Sequence, residues 1–370
     1  MLNQDMPRRC WAEIDLGALA HNARVAREAA GDGADVMAVV KADAYGHGMV
    51  AVGAALESGV DLFGVASVEE GVRLRMAGCR KPIMLLGAVT PDFFPWLLEH
   101  DLQAMVSNVD EARGLAAAAT DGGKPVAVHL MLDTGMGRIG FVDDGQLGQL
   151  SGLDGIEIVG VASHYPSADE DAEYTRDQLA RFLGRVRQAG LSPRWLHIAN
   201  SAGLLGFPSE ATSLVRAGLM LYGSSPLAEH QPSLRPAMTW KSRISLLRDL
   251  PPGQSISYGR TFFTEREPFT RVATVSVGYG DGYPRALSGR GAQVLVRGQR
   301  CPVLGRVTMD QIMVDVSGLG DVVVAGDEVV LIGEQGRERI LAGELAELAG
   351  TIAWEIFTGI TARVSRVYVH

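Results

Sequence analysis

The amino-acid sequence predicts an α/β protein in which an N-terminal (β/α)8 barrel of the TIM type precedes a C-terminal domain made mostly of strands. The chain has 370 residues, enough for two domains, because domains usually hold ~100–200 residues and an α/β barrel alone can take ~250. Apolar, β-branched runs alternate with helix-like segments up to Tyr222. After that residue the alternation stops and strand-like runs follow one another.

The barrel prediction rests on eight runs that are almost continuously apolar, as expected for parallel strands covered on both faces. These runs are 36–40, 62–66, 83–86, 103–106, 126–132, 156–162, 195–199 and 213–216. Helical spacing between them is clearest at 49–57, 68–76, 109–119 and 173–188. A doubly wound open sheet is the alternative, but it needs fewer units or a reversal of strand order that sequence does not show.

The second domain is predicted to begin after the Arg235-Pro236 step, which divides the chain into 12–235 and 236–370. Its strand-like runs are 239–247, 255–258, 271–277, 292–296, 311–316 and 328–332, followed by a helix at 342–348 and a last strand at 363–369. The opening run 9–14 precedes the first barrel helix, and residues 1–11 are a candidate extra strand of this second domain.

Composition narrows the class of protein. A net charge of −9 argues against nucleic acid as a partner, since nucleic-acid proteins usually carry a basic surface. No apolar run approaches the ~20 residues of a membrane span, and the N-terminus lacks the apolar core of a secretion signal. Three widely spaced cysteines suit reduced thiols in the cytoplasm better than a disulfide framework or a zinc site. We therefore expect a cytoplasmic protein with a small-molecule substrate.

The first candidate catalytic residue is Lys41, directly after the first barrel strand. Chemistry in such barrels takes place at the carboxyl ends of the strands. A lysine there is partly dehydrated, which lowers its pKa and favours the neutral amine that forms a Schiff base. The alternative is a surface lysine, or a partner for Asp43.

Two further strand ends carry polar residues. Strand five leads into Asp133-Thr-Gly-Met-Gly-Arg138, where glycines allow close backbone approach to an anion and Arg138 can bind a carboxylate or phosphate. Strand six ends at His164. The acidic residues 169–171 make a metal site conceivable, but the N-terminus of a helix explains them better.

Strands seven and eight end in His197-Ile-Ala-Asn200-Ser201 and Val215-Arg216-Ala-Gly218-Leu219. A hydroxyl and glycine-rich turns at these positions form the usual phosphate site of the barrel fold. A reactive lysine, arginines and a phosphate site suit pyridoxal phosphate (PLP) better than a phosphosugar, because no paired carboxylates are present. In the second domain, Tyr258 and Tyr279 each lie in a glycine turn, and each taken singly is more often a packing residue.

Together, these segments resemble the alanine racemase family from Trp11 to the last strand. The motifs occur in family order: Lys41 to Gly48, Asp133 to Arg138, His164, His197 to Ser201, Val215 to Gly218, Ser257 to Arg260, Gly278 to Tyr283 and Met309 to Gln311. The resemblance implies a PLP-dependent racemase, an isomerase that converts L-alanine to D-alanine for the peptidoglycan of the cell wall. It also implies a head-to-tail homodimer with shared active sites.

The resemblance assigns the following roles. Lys41 is the Schiff-base lysine and the base on the D face, and Tyr258 of the partner subunit is the base on the L face. Arg216 binds the pyridine nitrogen, and His164 contacts Arg216 or Tyr258. The remaining cofactor contacts are Tyr45, Asn200, Ser201, Gly218 and Leu219. Arg138 and Met309 of the partner subunit bind the substrate carboxylate. Asp169, Tyr279, Arg306 and Asp310 line or support the channel by which substrate arrives; no metal is expected.

The chain departs from the family pattern at two positions. Met131 replaces a lysine that is often carbamylated and steadies the arginine of the Asp-Thr-Gly-Met-Gly-Arg motif, so we expect Arg138 to be held by a bound chloride or a nearby acid. Ala362 replaces a tyrosine that contacts the cofactor phosphate and narrows the entrance. Losing that phenol removes one hydrogen bond, worth about 0.5–1.5 kcal/mol net, and leaves room for a substrate such as serine.

Three other functions stay open on the sequence. One is a racemase for serine or a basic amino acid. A second is a related two-domain PLP decarboxylase, against which the Ser257-Tyr258-Gly-Arg match argues. A third is a PLP-binding barrel without catalysis, against which the second domain argues, since such proteins consist of the barrel alone.

Overall fold

The structure, a computed structural model, describes residues 7–150 and 152–370, which divide into two units. Residues 18–44 and 48–235 form one unit, called the barrel unit below. The described residues up to Gly17, the segment Tyr45–His47 and residues 236–370 form the other, called the β unit. The first strand, β1 (Cys10–Asp15), belongs to the β unit, and helix α1 (Leu16–Ala30) leads into the barrel.

Eight parallel strands form the barrel unit's sheet, in the order β8-β7-β6-β5-β4-β3-β2-β9. They are β2 (Asp35–Val39), β3 (Leu62–Val65), β4 (Ile83–Leu85), β5 (Leu102–Val106), β6 (Val126–Met131), β7 (Ile156–Ala162), β8 (Trp195–His197) and β9 (Leu214–Ala217). Two backbone bonds join the ends of this sheet: Ser213 N–H donates to Leu196 O at 2.9 Å and Arg216 N–H to Ala199 O at 3.0 Å. The predicted barrel is confirmed, and it is nearly closed.

Helices follow most of these strands. They are α2 (Lys41–Tyr45), α3 (Met49–Leu56), α4 (Val68–Met76), α5 (Phe94–Glu99), α6 (Val109–Gly122), α7 (Ala172–Gln188) and α8 (Ser201–Gly206). Local sequence sets several of their starts, because Ser67, Asn108 and Asp171 each accept a hydrogen bond from the backbone N–H three residues later. The acidic run before α7 therefore supplies a helix cap, as its helical interpretation predicts.

The segment α2 is left-handed, which the sequence did not indicate. Ala42, Asp43, Ala44 and Tyr45 all have φ between 51° and 55°, a conformation that costs about 1–2 kcal/mol per residue for L-amino acids. Backbone bonds from Ala44 N–H to Val40 O and from Gly48 N–H to Asp43 O hold the turn. The Asp43 carboxylate also accepts from Met49 N–H at 3.0 Å, so the strained turn directly after Lys41 is tied to the start of α3.

The β unit contains a nine-stranded sheet of order β18-β17-β14-β15-β16-β13-β10-β1-β19 and a small hairpin, β11-β12. Its later strands are β10 (Met238–Leu250), β11 (Ser255–Ile256), β12 (Phe262–Phe263), β13 (Thr270–Val275), β14 (Gln293–Val296), β15 (Gln299–Leu304), β16 (Ile312–Asp315), β17 (Glu328–Gln335), β18 (Glu338–Ile340) and β19 (Ser365–Val369). Helices α9 (Ala342–Ala349) and α10 (Ala353–Gly359) complete it. Because β10 also pairs with β17, six of the nine strands form a closed ring.

Several predicted boundaries in this unit were wrong. The run 255–258 leaves the strand at Ile256, because Ser257 has φ 64° and turns the chain. The last strand begins at Ser365 rather than 363, after a turn at 361–364. Strand β15 was missed because it contains Pro302 and alternates poorly, and α10 was missed because it is short. Among the residues described, helices of the length and hydropathy that a bilayer crossing requires are absent.

Candidate active site

Lys41 lies two residues beyond the end of β2 and is half-buried. Burial lowers the pKa of its ammonium group, and the positive charges of Arg138 and Arg216 lower it further, while Glu70 acts in the opposite direction. Glu70 also fixes the backbone here, since its two carboxylate oxygens accept from Ala42 N–H at 2.7 Å and Ala66 N–H at 2.8 Å. The position therefore favours a neutral, nucleophilic amine.

Arg216, on β9, is a buried cation surrounded by neutral acceptors. Its Nη1 donates to His197 Nδ1 at 2.6 Å, and its Nη2 lies within 3.0 Å of Ser163 O, His164 Nδ1 and Ile198 O. Burial and the charge of Arg138 lower the pKa of Arg216 to about 10, so the guanidinium stays charged at neutral pH. Among the described residues these hydrogen bonds use Nη1 and Nη2 only, so Nε–H is available as a donor for a ligand.

His164 follows β7 and is held by its neighbours on both sides. Its Nδ1 accepts from Arg216, and its backbone carbonyl accepts from Gln178 Nε2 at 2.8 Å. Burial and the charges of Arg216, Arg138 and Lys41 lower the pKa of His164 to about 3. The ring is therefore neutral, and it contacts Arg216 within its own chain.

The turns after β8 and β9 meet at one hydroxyl group. Ser201 Oγ accepts from Gly218 N–H at 3.0 Å and from Met220 N–H at 3.3 Å. Asn200 caps α8 by accepting from Gly203 N–H at 2.9 Å, so part of its side chain is used structurally. Leu219 begins a 3-10 turn. These two loops bring a hydroxyl and two backbone N–H groups to one point, where both N–H groups donate to the hydroxyl. Hydroxyl and backbone N–H groups are the donors that bind a phosphate.

Arg138 is exposed, and no carboxylate in residues 7–150 and 152–370 pairs with it. Asp133, on the same loop, instead accepts from Gly135 N–H and Gly137 N–H at 2.9 and 3.1 Å. Met131 is buried, and its side chain packs against Gly140. The prediction that a nearby acid holds Arg138 is therefore not met among the described residues. Asp169 lies exposed in the turn before α7.

Tyr258 lies in the β unit, in a tight turn after β11, and its side chain is 70% exposed. Ser257 Oγ donates to Arg306 O at 2.6 Å, and the Arg306 guanidinium lies against Gly259. Arg306 thus supports the turn that presents the Tyr258 phenol to the exterior of this chain.

Tyr279 and Met309 lie on two loops of the β unit that are tied together. Tyr279 N–H donates to Thr308 O at 3.0 Å and Gly280 N–H donates to Met309 O at 2.8 Å. The approach is close enough that a Cβ at Gly278 would lie 2.2 Å from Thr308 O, so only glycine fits. Asp310 pairs with Arg363 at 2.7 Å.

Tyr45 also groups with the β unit, where burial raises the pKa of its phenol to about 12. Ala362, at the position of the expected family tyrosine, is exposed in the turn before β19. Groups of three or more metal-ligating side chains are absent from the described residues.

Two residues behind Arg216 were not predicted as parts of the site. His197 belongs to a predicted motif without a role of its own, and His129 belongs to none. Both are fully buried, and they lead from Arg216 into the barrel interior. A usable signal was present, because His129 interrupts the otherwise apolar strand β6. A polar residue at the centre of a continuously apolar strand needs a buried partner.

Comparison with known protein families accounts for nearly the whole chain. Residues 14–226 match the model of the alanine racemase N-terminal domain, and residues 237–368 match the model of the alanine racemase C-terminal domain. The chain belongs to the alanine racemase family. The predicted family and the predicted enzyme class, a racemase and therefore an isomerase, are both confirmed at this level.

Individual relatives agree with the assignment to the alanine racemase family. Alanine racemase of Symbiobacterium thermophilum is 47% identical, with 99% of both chains covered, and that of Halothermothrix orenii is 44% identical, with 99% of this chain and 98% of the relative covered. Among solved structures, alanine racemase from a D-cycloserine-producing Streptomyces lavendulae is 39% identical, with a TM-score of 0.90 over 99% of this chain and 98% of that one. The Bacillus anthracis alanine racemase with bound L-Ala-P is 36% identical, with a TM-score of 0.89 over 99% and 96%.

Proposed function

We propose that this member of the alanine racemase family interconverts L- and D-alanine, with PLP held in the barrel unit and Lys41 and Tyr258 of the partner subunit acting as two opposed bases. Two observations together carry the proposal: Lys41 is half-buried and has a lowered pKa, and the hydrogen bonds of buried Arg216 in the described residues use only Nη1 and Nη2.

The residues present fit PLP. Lys41 supplies the amine for a covalent bond to an aldehyde, and Arg216 Nε–H supplies a donor for a ring nitrogen. Ser201, Gly218 and Leu219 supply hydroxyl and backbone donors for a phosphate, with Tyr45 and Asn200 as further cofactor contacts. When bound, PLP supplies the electron withdrawal that makes the α-proton of an amino acid removable.

Arg216 sets how strongly that withdrawal acts. A guanidinium is only a donor and, with a pKa of about 10, it stays charged at neutral pH. It therefore favours an unprotonated ring nitrogen, which restrains electron withdrawal and side reactions such as transamination. His164 and His197, both neutral, orient Arg216 without offering it a proton.

Inversion at a carbon needs a base on each face of the molecule. Lys41, once released from the cofactor, takes or returns the proton on the D face. Tyr258 of the partner subunit does the same on the L face, which agrees with its exposed position on its own chain. A homodimer is then part of catalysis, because one chain supplies each base.

The substrate carboxylate is bound by Arg138 together with Met309 of the partner subunit. Because Met131 is not a lysine and no acid of the described chain pairs with Arg138, we propose that a bound anion such as chloride steadies it. Asp169, Tyr279, Arg306 and Asp310 border or support the channel for substrate. We further propose that the enzyme acts in the cytoplasm and supplies D-alanine for peptidoglycan.

The test is to incubate the purified protein with PLP and single L-amino acids and then to resolve the enantiomers. L-alanine should reach an equal mixture of L and D, and the Lys41→Ala variant should show no turnover. A second arm with L-serine tests the space left by Ala362, where we expect slower but measurable racemisation. A product that has lost its carboxylate would establish a decarboxylase, and unchanged alanine would contradict the proposal.

A further inference from the structure

A continuous row of buried polar side chains crosses the interior of the barrel unit, from Arg216 on β9 to Gln103 on β5. Arg216 Nη1 lies 2.6 Å from His197 Nδ1, and His197 Nε2 lies 2.9 Å from His129 Nδ1. His129 Nε2 lies 3.0 Å from Gln103 Oε1. We call these four residues the relay.

The relay has only one arrangement of protons that satisfies every bond with neutral rings. Arg216 can only donate, so His197 Nδ1 must carry a lone pair and His197 Nε2 the proton. His197 Nε2–H donates to His129 Nδ1, which must therefore carry a lone pair. Because a neutral ring has a single N–H, the proton of His129 is on Nε2. Gln103 must then present its carbonyl oxygen, because its NH2 group would face another N–H.

The surroundings hold His129 in this arrangement. Its ring stacks on Trp195 at 5.5 Å and an interplanar angle of 10°, and Trp195 Nε1 donates to Asp35 at 2.8 Å. On the other side, a Cβ at residue 160 would lie 2.0 Å from His129 Nδ1, so Gly160 makes room for the ring. Burial lowers the pKa of His129 to about 3, in agreement with a neutral imidazole.

We propose that Gln103 and His129 are positioning residues of the site: Arg216 sets the tautomers of the relay, and the bond from His129 Nε2–H to Gln103 Oε1 anchors its far end. The two histidines then hold the guanidinium in the orientation that leaves Nε–H for the ligand. This inference rests on the proposed function for its kinetic consequence. Its structural content, the proton positions in the relay, stands apart from that function.

Gln103 is the residue at which to break the relay. It is half-buried and borders a cleft of about 440 Å³ at the amino ends of the barrel strands, together with Leu102 and Val126. A change there does not open a cavity around the two histidines. Gln103→Met keeps the length of the side chain and removes the acceptor, whereas Gln103→Glu retains an acceptor oxygen. Met105→Leu, two residues along β5, is the control for packing because it conserves volume.

The experiment measures histidine tautomers and kinetics on the full-length enzyme loaded with PLP. In the wild type, 15N spectra of histidine-labelled protein should show both His129 and His197 neutral and protonated on Nε2. Gln103→Met should shift the His129 Nε2 resonance, because that N–H loses its acceptor, and should lower kcat about tenfold with KM within about twofold, since the residue acts through orientation and not through substrate contact. Gln103→Glu and Met105→Leu should resemble the wild type in both measurements.

Three results would overturn the inference. A wild-type His197 that is protonated on Nδ1 or positively charged contradicts it, whether or not any variant folds. An unshifted His129 Nε2 resonance in Gln103→Met contradicts the anchoring bond, and a shifted resonance with unchanged kcat contradicts the positioning role. A wild-type enzyme that racemises nothing refutes the proposed function instead, and the spectra still decide the proton positions.

Discussion

Arg216 is a buried cation that meets His197, His164 and two backbone carbonyls, all of them neutral. Buried charges usually pair with an opposite charge, because desolvation is costly. Here the charge remains uncompensated by a carboxylate among its hydrogen-bond partners in the described residues. Burial, together with the charges of Arg216 and Arg138, lowers the pKa of His164 to about 3 and lowers the pKa of Lys41. Burial and the two arginines therefore favour the neutral form of the Lys41 amine.

The lowered pKa of Lys41 can be measured directly. In cofactor-free protein, the rate at which an amine reagent labels Lys41 should reach half its maximum below pH 10.5, the ordinary lysine value. Because Arg138 lowers that pKa, Arg138→Met should shift the midpoint upward. Competitive labelling followed by mass spectrometry gives the midpoint, with exposed Lys124 as internal reference. A Lys41 midpoint at or above 10.5 would rule out an activated amine.

At the scale of elements, the left-handed turn α2 is the costliest local structure near the site. Its four residues with φ above 50° follow Lys41 directly. The strained backbone therefore adjoins the residue whose side chain must be oriented toward the site. A conformation of this kind persists only because surrounding bonds hold it.

Replacing alanine by glycine should reveal the strain in α2. Ala42 is exposed with φ 52°, so Ala42→Gly should leave the free energy of unfolding unchanged or raise it by up to about 1 kcal/mol. Ala54→Gly, exposed in right-handed α3, should lower it by about 1 kcal/mol. Denaturant unfolding of both variants makes the comparison. Equal losses in the two would show that α2 is not left-handed in solution.

The elements that sequence predicted well share one property. Strands such as β3 and β4 were predicted because a strand buried on both faces is a continuous apolar run in the sequence. The handedness of α2 was not predicted because Lys41, Ala42 and Ala44 are residue types that are common in right-handed helices. Lys41 and Arg216 were found because strand ends mark the mouth of a barrel. The hydrogen bond between His129 and Gln103 was not predicted, because it depends on how the side chains of β5 and β6 meet in the barrel interior.

At the scale of the whole molecule, buried neutral histidines make stability depend on pH. Burial holds the pKa of His129 near 3, against an ordinary value of 6.5, and lowers that of His197 as well. Below pH 6.5 the unfolded chain therefore binds more protons than the folded one, and stability falls as pH falls. Each such histidine contributes a slope of about 1.4 kcal/mol per pH unit across this window.

Unfolding midpoints measured in denaturant between pH 7 and pH 5 test this dependence. The wild-type midpoint should decline below pH 6.5, and His129→Gln should decline less steeply, whatever its stability at pH 7. His370, which is exposed, supplies the control variant His370→Gln, which should resemble the wild type. Identical slopes for wild type and His129→Gln would show that His129 titrates normally in the folded protein.

The proposed enzyme requires two copies of the chain, because each site takes Lys41 from one and Tyr258 from the other. The exposure of Tyr258 and Met309, at 70% and 52%, agrees with residues that act on a neighbouring copy. Either Lys41→Ala or Tyr258→Phe alone should remove most activity, since a positioned acid or base contributes about 10²–10⁴-fold.

Mixed dimers test this claim most directly. Lys41→Ala and Tyr258→Phe chains, co-expressed with two different affinity tags, yield a hybrid after purification on both tags. The hybrid should recover about half of the wild-type racemisation rate per dimer, because a two-fold dimer then has one intact site and one that lacks both bases. A hybrid as inactive as its two parent variants, or failure to recover a hybrid at all, would contradict a site shared between two copies.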